Sequence, residues 1–217
     1  LKMFYDSRMY PQAVRVNNSV FIVWRGKDGL PYITDYKIEK REFSKEKMLL
    51  EPWREEIEPN KYLNDHHYAP VIWADQAGYL HVISGLHGTP GIHVMSENPG
   101  SIETWVRRPS ISTSISYPQV HRAFDDQILV YYRHAGHLGN WQYRLSNNGG
   151  ITWTNSLSAI DLNAEPHNVE HASYSGSYNT TALSADGKNL HIAFIWKVEE
   201  PVFNKRYEKV LDGYTQR

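Results

Sequence analysis

Two histidines, a tyrosine and an arginine in the middle of the sequence have side chains that can move protons and bind anions. His87 follows His67 by 20 residues, and Arg133 follows Tyr117 by 16. Histidine takes or gives a proton near neutral pH. A tyrosine close to an arginine has its phenolate favoured, so Tyr117 can act as a base or an acid. The guanidinium of Arg133 can hold a carboxylate through two hydrogen bonds.

Together these groups are the set that β-elimination from a uronic acid requires. One group neutralises the carboxylate and makes the C5 proton acidic, a second removes that proton, and a third protonates the departing glycosidic oxygen. Each proton-transfer partner contributes roughly 10²- to 10⁴-fold in rate, and charge neutralisation adds a comparable electrostatic contribution. The sequence does not indicate which histidine or tyrosine removes the proton.

Two other interpretations of the histidines stay open. A zinc site needs three or four ligands, and enough nitrogen is offered by His66, His67, His87, His93, His134 and His137. No dedicated spacing such as His-Glu-x-x-His occurs, which disfavours metal catalysis. The other interpretation is that the histidines are scattered over the surface and the core. For single residues such as His121, His167 and His191, that is the prediction we make.

The composition excludes several classes of protein. Among 217 residues, 23 Lys and Arg balance 24 Asp and Glu, so a broad nucleic-acid surface is not expected. No apolar stretch is long enough to cross a membrane. The absence of cysteine excludes disulfides, thiolate metal sites and cysteine nucleophiles. The first ten residues lack both an initiator Met and the layout of a signal peptide. The 15 Tyr and 7 Trp favour strands and sugar-binding surfaces.

Short runs of β-branched and aromatic residues recur along the chain between turn residues. The runs that open each unit begin at Tyr10, Tyr68, Tyr117 and Tyr178, which lie 58, 49 and 61 residues apart. A period of about 50 residues with three or four strands is typical of a β-propeller blade. The sequence therefore predicts an all-β propeller in one domain over residues 1–217, with blade units near 5–60, 61–110, 111–160 and 170–217. Only residues 37–56 have helical character, and we expect a strand and then a short helix there.

The segment SNNGGITW, residues 146–153, fits the Asp-box pattern Ser-x-Asp-x-Gly-x-x-Trp, with Asn148 in the Asp place. The segment SENPGSIETW, residues 96–105, is a looser copy, and the first serines of the two segments are 50 residues apart. An Asp-box is a hairpin turn between the outer strands of a blade. We predict that Asn148 bonds to neighbouring amides, Gly150 adopts a positive φ and Trp153 packs between blades. All three are expected to be structural.

In a propeller, the innermost strand of each blade lines a central channel, and the loops at one end of the channel bind ligands. By the repeat register, equivalent places at the start of an inner strand are held by Tyr10, His67, Tyr117 and Tyr178. Places just past the end of the following strand are held by Arg25, His87 and Arg133. Polar groups from adjacent blades are therefore expected to converge on one cleft. Because propellers close with four to eight blades, we expect these units to be part of a larger ring that further polypeptide or a second chain completes.

The stretch DHHYAPVIWADQAGYLHVISGLHGTPGIHVMS, residues 65–96, resembles the hallmark repeat of BNR-type seven-bladed β-propeller polysaccharide lyases. That family includes ulvan lyases and lyases that cut rhamnose–glucuronic acid linkages. Asp65, Pro70 and the histidines match the hallmark, whereas Tyr68 replaces its usual Asn. The next unit is similar as well, with a tyrosine and an arginine at Tyr117 and Arg133. The resemblance covers most of residues 5–197.

The resemblance implies a polysaccharide lyase that acts on an ulvan-like acidic polysaccharide or oligosaccharide by β-elimination. The implied catalytic residues are His67, His87, Tyr117 and Arg133, with Arg133 neutralising the uronate carboxylate. The implied substrate-binding residues are Trp24, Arg25, His66, His171 and Tyr178, and His66 takes the place of His67 if the alignment slips by one. No cofactor is implied for the chemistry, although a structural zinc or calcium ion occurs in some members. A secreted or periplasmic bacterial location is implied too.

Two other functions remain open, because a fold does not fix a reaction. A rhamnosidase-like glycoside hydrolase acting on the same linkage would need two nearby carboxylates, and the channel-side loops show Asp65 without an obvious partner. A non-catalytic glycan-binding propeller would keep the aromatic residues and Arg133. It would not need His67, His87 and Tyr117 to meet. Lyase activity is therefore the function that the sequence predicts.

Overall fold

The structure is a computed structural model that describes residues 11–58, 62–63, 65–136, 139–161, 175–198 and 215–216. Four residues named above, Tyr10, His137, His167 and His171, lie outside the described residues, as does the side chain of His66. Their proposed roles stay predictions. Among the described residues, no helix is long and apolar enough to cross a membrane.

Strands are the main regular structure of the described residues. The strands in chain order are β1 (Gln12–Val16), β2 (Ser19–Arg25), β3 (Pro31–Lys37), β4 (Glu42–Phe43), β5 (Lys47–Met48), β6 (Val71–Ala74), β7 (Leu80–Ser84), β8 (His87–Thr89), β9 (Ile92–Ser96), β10 (Trp105–Arg108), β11 (Ile115–Arg122), β12 (Ile128–Arg133), β13 (Trp141–Ser146), β14 (Leu157–Ile160), β15 (Ser175–Leu183), β16 (Leu190–Val198) and β17 (Thr215–Gln216). Three 3₁₀ helices cover Glu51–Glu56, His66–Tyr68 and Phe124–Asp126. The all-β prediction is confirmed. Residues 37–56 contain the last residue of β3, the two-residue strands β4 and β5, and the first of these helices, so the expected short helix is present.

The strands form four antiparallel sheets that follow one another along the chain. The first sheet runs β1-β2-β3-β4 with β5 also paired to β3, and the second runs β6-β7-β9-β10. The third runs β8-β11-β12-β13-β14, and the fourth runs β15-β16-β17. The first strands of neighbouring sheets pack together, β1 against β6 and β6 against β11. Successive meanders with packed inner strands are the arrangement of propeller blades.

The cores lie between successive sheets, because side chains along a strand point alternately to its two faces. In β12, Ile128, Val130 and Tyr132 pack toward the second sheet, whereas Leu129 and Tyr131 belong to the cluster that faces the fourth sheet. All five side chains are buried. A strand that is apolar on both faces therefore follows from its place inside a stack of blades.

The Asp-box turn has the predicted geometry. The side-chain oxygen of Asn148 accepts a hydrogen bond from the amide of Thr152 at 2.9 Å, and Gly150 has φ 110°. The ring of Trp153 packs edge-on against Trp73 of the second sheet, with 6.1 Å between ring centroids. The structural roles predicted for Asn148, Gly150 and Trp153 are confirmed.

Candidate active site

A single row of residues across the third sheet brings His87 close to Arg133. Ser116 on β11 pairs with His87 of β8 on one side and with Arg133 of β12 on the other. The Ser116 hydroxyl is buried and accepts a hydrogen bond from the amide of Gly88 at 2.8 Å. Residues that are 46 positions apart in the sequence are thus two strands apart in the sheet.

Tyr117 follows this row and occupies a β-bulge. The register of β11 shifts between Ser116 and Gln119, and Tyr117 has φ 53°. This left-handed conformation is disfavoured for a residue with a side chain and costs about 1–3 kcal/mol, which the surrounding structure must offset. Bulges turn a side chain out of its regular alternation and are common beside active sites. The bulge therefore gives Tyr117 a direction that a regular strand would not allow.

The 3₁₀ helix His66–Tyr68 places His67 beside Tyr117. Its N-cap residue is Asp65, whose carboxylate oxygen Oδ1 accepts from the amide of His67 at 3.0 Å. Capping satisfies a backbone donor that a helix start leaves without a partner. The short turn then leads directly into β6, so the imidazole of His67 is fixed at the start of an inner strand.

The four predicted catalytic residues form one contact group, joined through Asp65. Nε2 of His67 lies 2.5 Å from the Tyr117 hydroxyl, and Nδ1 of His67 lies 2.5 Å from Oδ1 of Asp65. The other carboxylate oxygen, Oδ2, lies 2.6 Å from Nδ1 of His87. The two imidazoles stack with their centroids 3.8 Å apart. Asp65 thus holds both rings at once.

The electrostatics of this group favour an ionised Asp65. Partial burial by itself acts to raise the pKa of Asp65, but hydrogen bonds from the amide and ring of His67 and from His87 outweigh it. The net effect is a lowered pKa. A carboxylate that accepts several hydrogen bonds is stabilised in its charged form. Asp65 therefore acts as an acceptor toward both imidazoles.

Arg133 carries a buried positive charge next to Tyr117. The residue is fully buried, and Nε and both terminal nitrogens of its guanidinium have no hydrogen-bond partner among the described residues. The guanidinium carbon lies 4.9 Å from the centroid of Tyr117 and 5.8 Å from that of Tyr178. Contacts with aromatic faces only partly replace the hydration that a guanidinium loses when it is buried. An anionic group that entered here would supply the missing acceptors.

Aromatic residues of the third and fourth sheets surround Tyr117. Trp141 on β13 stacks with Tyr117 at 6.3 Å between centroids, and its ring nitrogen donates to the carbonyl of Ser177 at 3.2 Å. Tyr178 on β15 meets Tyr117 edge-on at 5.5 Å. The candidate site is therefore built from three successive sheets, with Asp65 and His67 at the start of the second, His87, Tyr117 and Arg133 on the third, and Tyr178 on the fourth.

Comparison with known proteins places the chain in a family. Residues 21–207 match the BNR repeat-containing family. The chain belongs to this family. An ulvan lyase of Nonlabens ulvanivorans is 27% identical to this family member over 172 residues, which are 70% of this chain and 35% of that protein. An ulvan lyase of Alteromonas sp. (strain LOR) is 23% identical over 166 residues, with 70% of this chain and 34% of that protein covered.

The fold of this BNR-family chain also has a close structural counterpart. A solved polysaccharide lyase, a PL25 ulvan lyase bound to -[GlcA(1-4)Rha3S]-, superposes with a TM-score of 0.71 at 19% identity, over 86% of this chain and 44% of that one. The β-propeller prediction is confirmed. The chain spans about a third of the length of the curated relatives it matches.

The remaining sequence-predicted residues lie in different surroundings. Trp24 is 1% exposed and stacks with Tyr32, so its ring offers no surface to a sugar. Arg25 is buried and donates to the carbonyls of Tyr62 and Leu63 at 2.6 and 2.7 Å. Trp24 and Arg25 are thus held in packed surroundings, and their substrate-binding roles stay predictions. Of the predicted rim residues, Tyr178 alone is described at the candidate site.

A metal ion fits poorly at the carboxylate as it stands. Asp65, His67 and His87 offer one ligand atom each within 4.8 Å of one another. Ligands of a tetrahedral zinc ion, at about 2.0–2.1 Å from the metal, lie about 3.3 Å from each other. The contacts of Asp65 with the two Nδ1 atoms are shorter, at 2.5 and 2.6 Å, and fit hydrogen bonds instead. The expected structural zinc or calcium ion stays a prediction.

Sequence reasoning did not identify three of the residues that build the site. Asp65 appeared only as a motif position and as a lone carboxylate of the channel-side loops, and Ser116 and Trp141 were not singled out. The short spacing of Asp65 and His67 is a recognisable capping signal, since Asp is a preferred N-cap residue. The contact of Asp65 with His87 spans 22 residues and depends on how β8 joins the third sheet. No local pattern in the sequence indicates it.

Proposed function

We propose that this chain carries the active site of a polysaccharide lyase that cleaves a rhamnose–uronic acid linkage by β-elimination. The observation that carries the proposal is the position of Tyr117 between Nε2 of His67 and the guanidinium of Arg133. A proton-transfer pair lies there beside a buried cation that lacks an acceptor. The names of the relatives, ulvan lyases, and the uronate-containing ligand of one of them support the same reaction.

The proposed reaction assigns places to Arg133, Tyr117 and His67. The uronate carboxylate binds Arg133, which stabilises the negative charge that develops when C5 loses its proton. A base removes the C5 proton, and the electrons of that bond form the C4–C5 double bond. The C4–O bond breaks, its electrons stay with the departing oxygen, and an acid protonates that oxygen. Tyr117 and His67 share a hydrogen bond and together supply the proton acceptor and donor.

The burial of Arg133 sets a condition on substrate binding. Its guanidinium is covered by the rings of Tyr117 and Tyr178 and has no exposed surface. A carboxylate reaches it when these rings move aside. The free energy gained by pairing a desolvated guanidinium with a carboxylate is available to drive that movement. We therefore propose that substrate binding and ordering of the two tyrosines are coupled.

The experiment that tests the function follows ultraviolet absorbance on ulvan and on rhamnose–glucuronate oligosaccharides. Elimination leaves an absorbing unsaturated uronate, whereas hydrolysis leaves new reducing ends without it. We expect absorbance to rise with the wild-type chain and the rise to be lost in His87→Ala, Tyr117→Phe and Arg133→Ala. His191→Ala is the matched control, because His191 is exposed on the fourth sheet. Reducing ends without absorbance would make the protein a hydrolase, and oligosaccharide binding without either product would make it a glycan-binding propeller.

We also propose that the protein works outside the cytoplasm of a bacterium. A polymeric acidic polysaccharide does not cross a membrane unaided, so an enzyme that cuts it must meet it outside. Fractionation of the producing cells, followed by detection of the protein in medium, periplasm and cytoplasm, checks the location. Accumulation in the cytoplasm alone would contradict it.

A further inference from the structure

Asp65 is positioned to control two catalytic histidines at once. Each of its carboxylate oxygens lies at hydrogen-bond distance from a different Nδ1, that of His67 at 2.5 Å and that of His87 at 2.6 Å. Oδ1 also accepts from the backbone amide of His67 at 3.0 Å, which fixes the carboxylate relative to the chain. Among the described residues, Asp65 is the one whose carboxylate contacts both of these rings.

The chemistry of a carboxylate determines where the imidazole protons lie. An ionised carboxylate only accepts hydrogen bonds, so both Nδ1 atoms must carry a hydrogen. In a neutral imidazole with hydrogen on Nδ1, the lone pair lies on Nε2. For His67 this atom faces the Tyr117 hydroxyl at 2.5 Å. The tyrosine therefore donates its proton to His67, or receives one from it once the ring is charged.

We propose that Asp65 is a positioning residue that fixes the tautomers of His67 and His87, so that both rings keep the proton-accepting lone pair on Nε2. Asp65 takes no direct part in the proposed elimination. Its effect on catalysis rests on the proposed lyase function, whereas the tautomers can be measured without any substrate. Asp65 acts through the histidines and does not need to touch the sugar.

The stacking of the two rings explains why one shared carboxylate suits the site. The imidazole planes are 20° from parallel, and their centroids are 3.8 Å apart. Two charged rings at this distance would repel each other, and Arg133 adds a further positive charge near Tyr117. One carboxylate balances one imidazolium. The pair can therefore hold one additional proton, which suits a single proton transfer in each direction.

The first measurement is long-range ¹H–¹⁵N NMR of the histidine rings in the ¹⁵N-labelled chain near neutral pH, where Asp65 is ionised. His67→Gln and His87→Gln variants assign the signals. We expect both rings of the wild type to carry hydrogen on Nδ1, with Nε2 showing the shift of an unprotonated nitrogen. Hydrogen on Nε2 in either neutral ring would overturn the proposal.

The matched variant is Asp65→Asn, which keeps an oxygen to cap the helix but replaces one acceptor by an amide donor. Since an amide NH₂ can only donate, one of the two Nδ1 atoms must become an acceptor. We expect that ring to move its hydrogen to Nε2, with the melting temperature nearly unchanged. Unaltered tautomers of both rings in Asp65→Asn would overturn the proposal.

Kinetics separate this role from a purely structural one. Loss of a residue that orients a catalytic group typically lowers activity 10- to 100-fold, and we expect kcat of Asp65→Asn to fall by that factor with KM within about twofold. Asp75→Asn is the control, because Asp75 also caps a turn, accepting from the amide of Tyr79 at 2.8 Å, but lies outside the site. Equal kcat for Asp65→Asn and the wild type would overturn the role in positioning. If the wild type has no elimination activity but shows the expected tautomers, the lyase function fails and the tautomer assignment stands.

Discussion

The hydroxyl of Tyr117 lies 2.5 Å from Nε2 of His67, although 50 residues of chain separate the two. Tyr117 lies in the third sheet, whereas His67 lies in the 3₁₀ helix before β6, where Asp65 caps it. A bulge aims the tyrosine and a capped turn holds the histidine. A hydrogen bond that needs two such local irregularities is expected to have a use, and proton transfer is the use that its chemistry favours.

Removal of the Tyr117 hydroxyl is expected to stop catalysis without unfolding the protein. The change Tyr117→Phe keeps the ring that stacks with Trp141 but removes the proton that His67 shares. Loss of a proton-transfer partner lowers the rate by about 10²- to 10⁴-fold. The initial rate of absorbance increase on ulvan and the melting temperature are the measurements. Tyr143→Phe on β13 is the control, and an equal loss of rate in both variants would contradict the assignment.

Replacement of Arg133 by methionine is expected to abolish activity and raise stability. The guanidinium is fully buried without a hydrogen-bond partner among the described residues, so its charge is held at a cost in free energy. An apolar side chain of similar length is expected to increase the free energy of unfolding by about 1–4 kcal/mol. Urea unfolding checks this value. Arg25→Met is the opposite case, because Arg25 bonds to two carbonyls, and its free energy of unfolding should fall.

The buried pair His81 and His93 predicts a loss of stability in mild acid. Burial lowers the pKa of His81 to about 3 and that of His93 to about 4. Both values lie below the unfolded value of about 6.5, so between about pH 3 and 6.5 the unfolded chain binds more protons than the folded one. The contribution to stability is complete above pH 6.5 and is lost as the pH falls, by about 1.4 kcal/mol per pH unit for each proton.

Urea unfolding at several pH values from 7 to 4 measures this slope. We expect His81→Phe to remove about half of it, because the phenyl ring can still stack on Trp73 but cannot take up a proton. His191→Gln, at an exposed position, should leave the slope unchanged. A slope in His81→Phe equal to that of the wild type would show that other groups cause the acid sensitivity.

Zinc is expected to inhibit the proposed elimination rather than activate it. The donor atoms of Asp65, His67 and His87 lie within 4.8 Å, so a zinc ion can take nitrogens that the proposed proton transfer needs. Dialysis against a chelator should leave the elimination rate unchanged, and a small excess of zinc should lower it. Magnesium prefers oxygen ligands and serves as the control. A rate that falls with chelator and returns with zinc would contradict this prediction and show that the protein needs the metal, for its reaction or for its structure.

A methyl group at Gly150 is expected to destabilise the blade contact without entering the active site. A Cβ at this residue would lie 2.8 Å from the ring of Trp73, and its φ of 110° is unsuited to other residues. Gly150→Ala should lower the free energy of unfolding by about 2–5 kcal/mol from strain and overpacking together. Gly136→Ala, with φ 82° but open space around it, isolates the backbone contribution and should cost less. Equal losses in the two variants would rule out the contact with Trp73 as the cause.

The repeat and its strands were predictable because they depend on local sequence patterns. Alternating apolar residues, turn residues and the Asp-box each depend on neighbours within about ten positions. The meeting of His67, His87, Tyr117 and Arg133 was also predictable, since the repeat register placed them at equivalent ends of strands in adjacent blades. The structure brings these four together with Asp65, whereas their chemical roles stay predictions.

The parts that sequence could not predict depend on register and burial. Tyr117 was expected at the start of its strand but is the third residue of β11, because a bulge adds a residue that counting cannot reveal. Arg25 matched Arg133 in the repeat, yet residues 62–63 give Arg25 two carbonyl acceptors, whereas Arg133 has none among the described residues. Residues at equivalent positions of the repeat therefore have different surroundings whenever a connecting segment packs over one of them.

Strand β8 belongs by sequence to the second repeat but pairs with β11 of the third sheet. The candidate site is consequently formed by more than one repeat. Duplication of one repeat would copy only part of the site. Exchange of one repeat for a homologous one would combine site residues from two different proteins. The chain segment from Asp65 to Arg133 must therefore be inherited intact. A shuffled or permuted propeller keeps the site only when the chain is cut outside that segment.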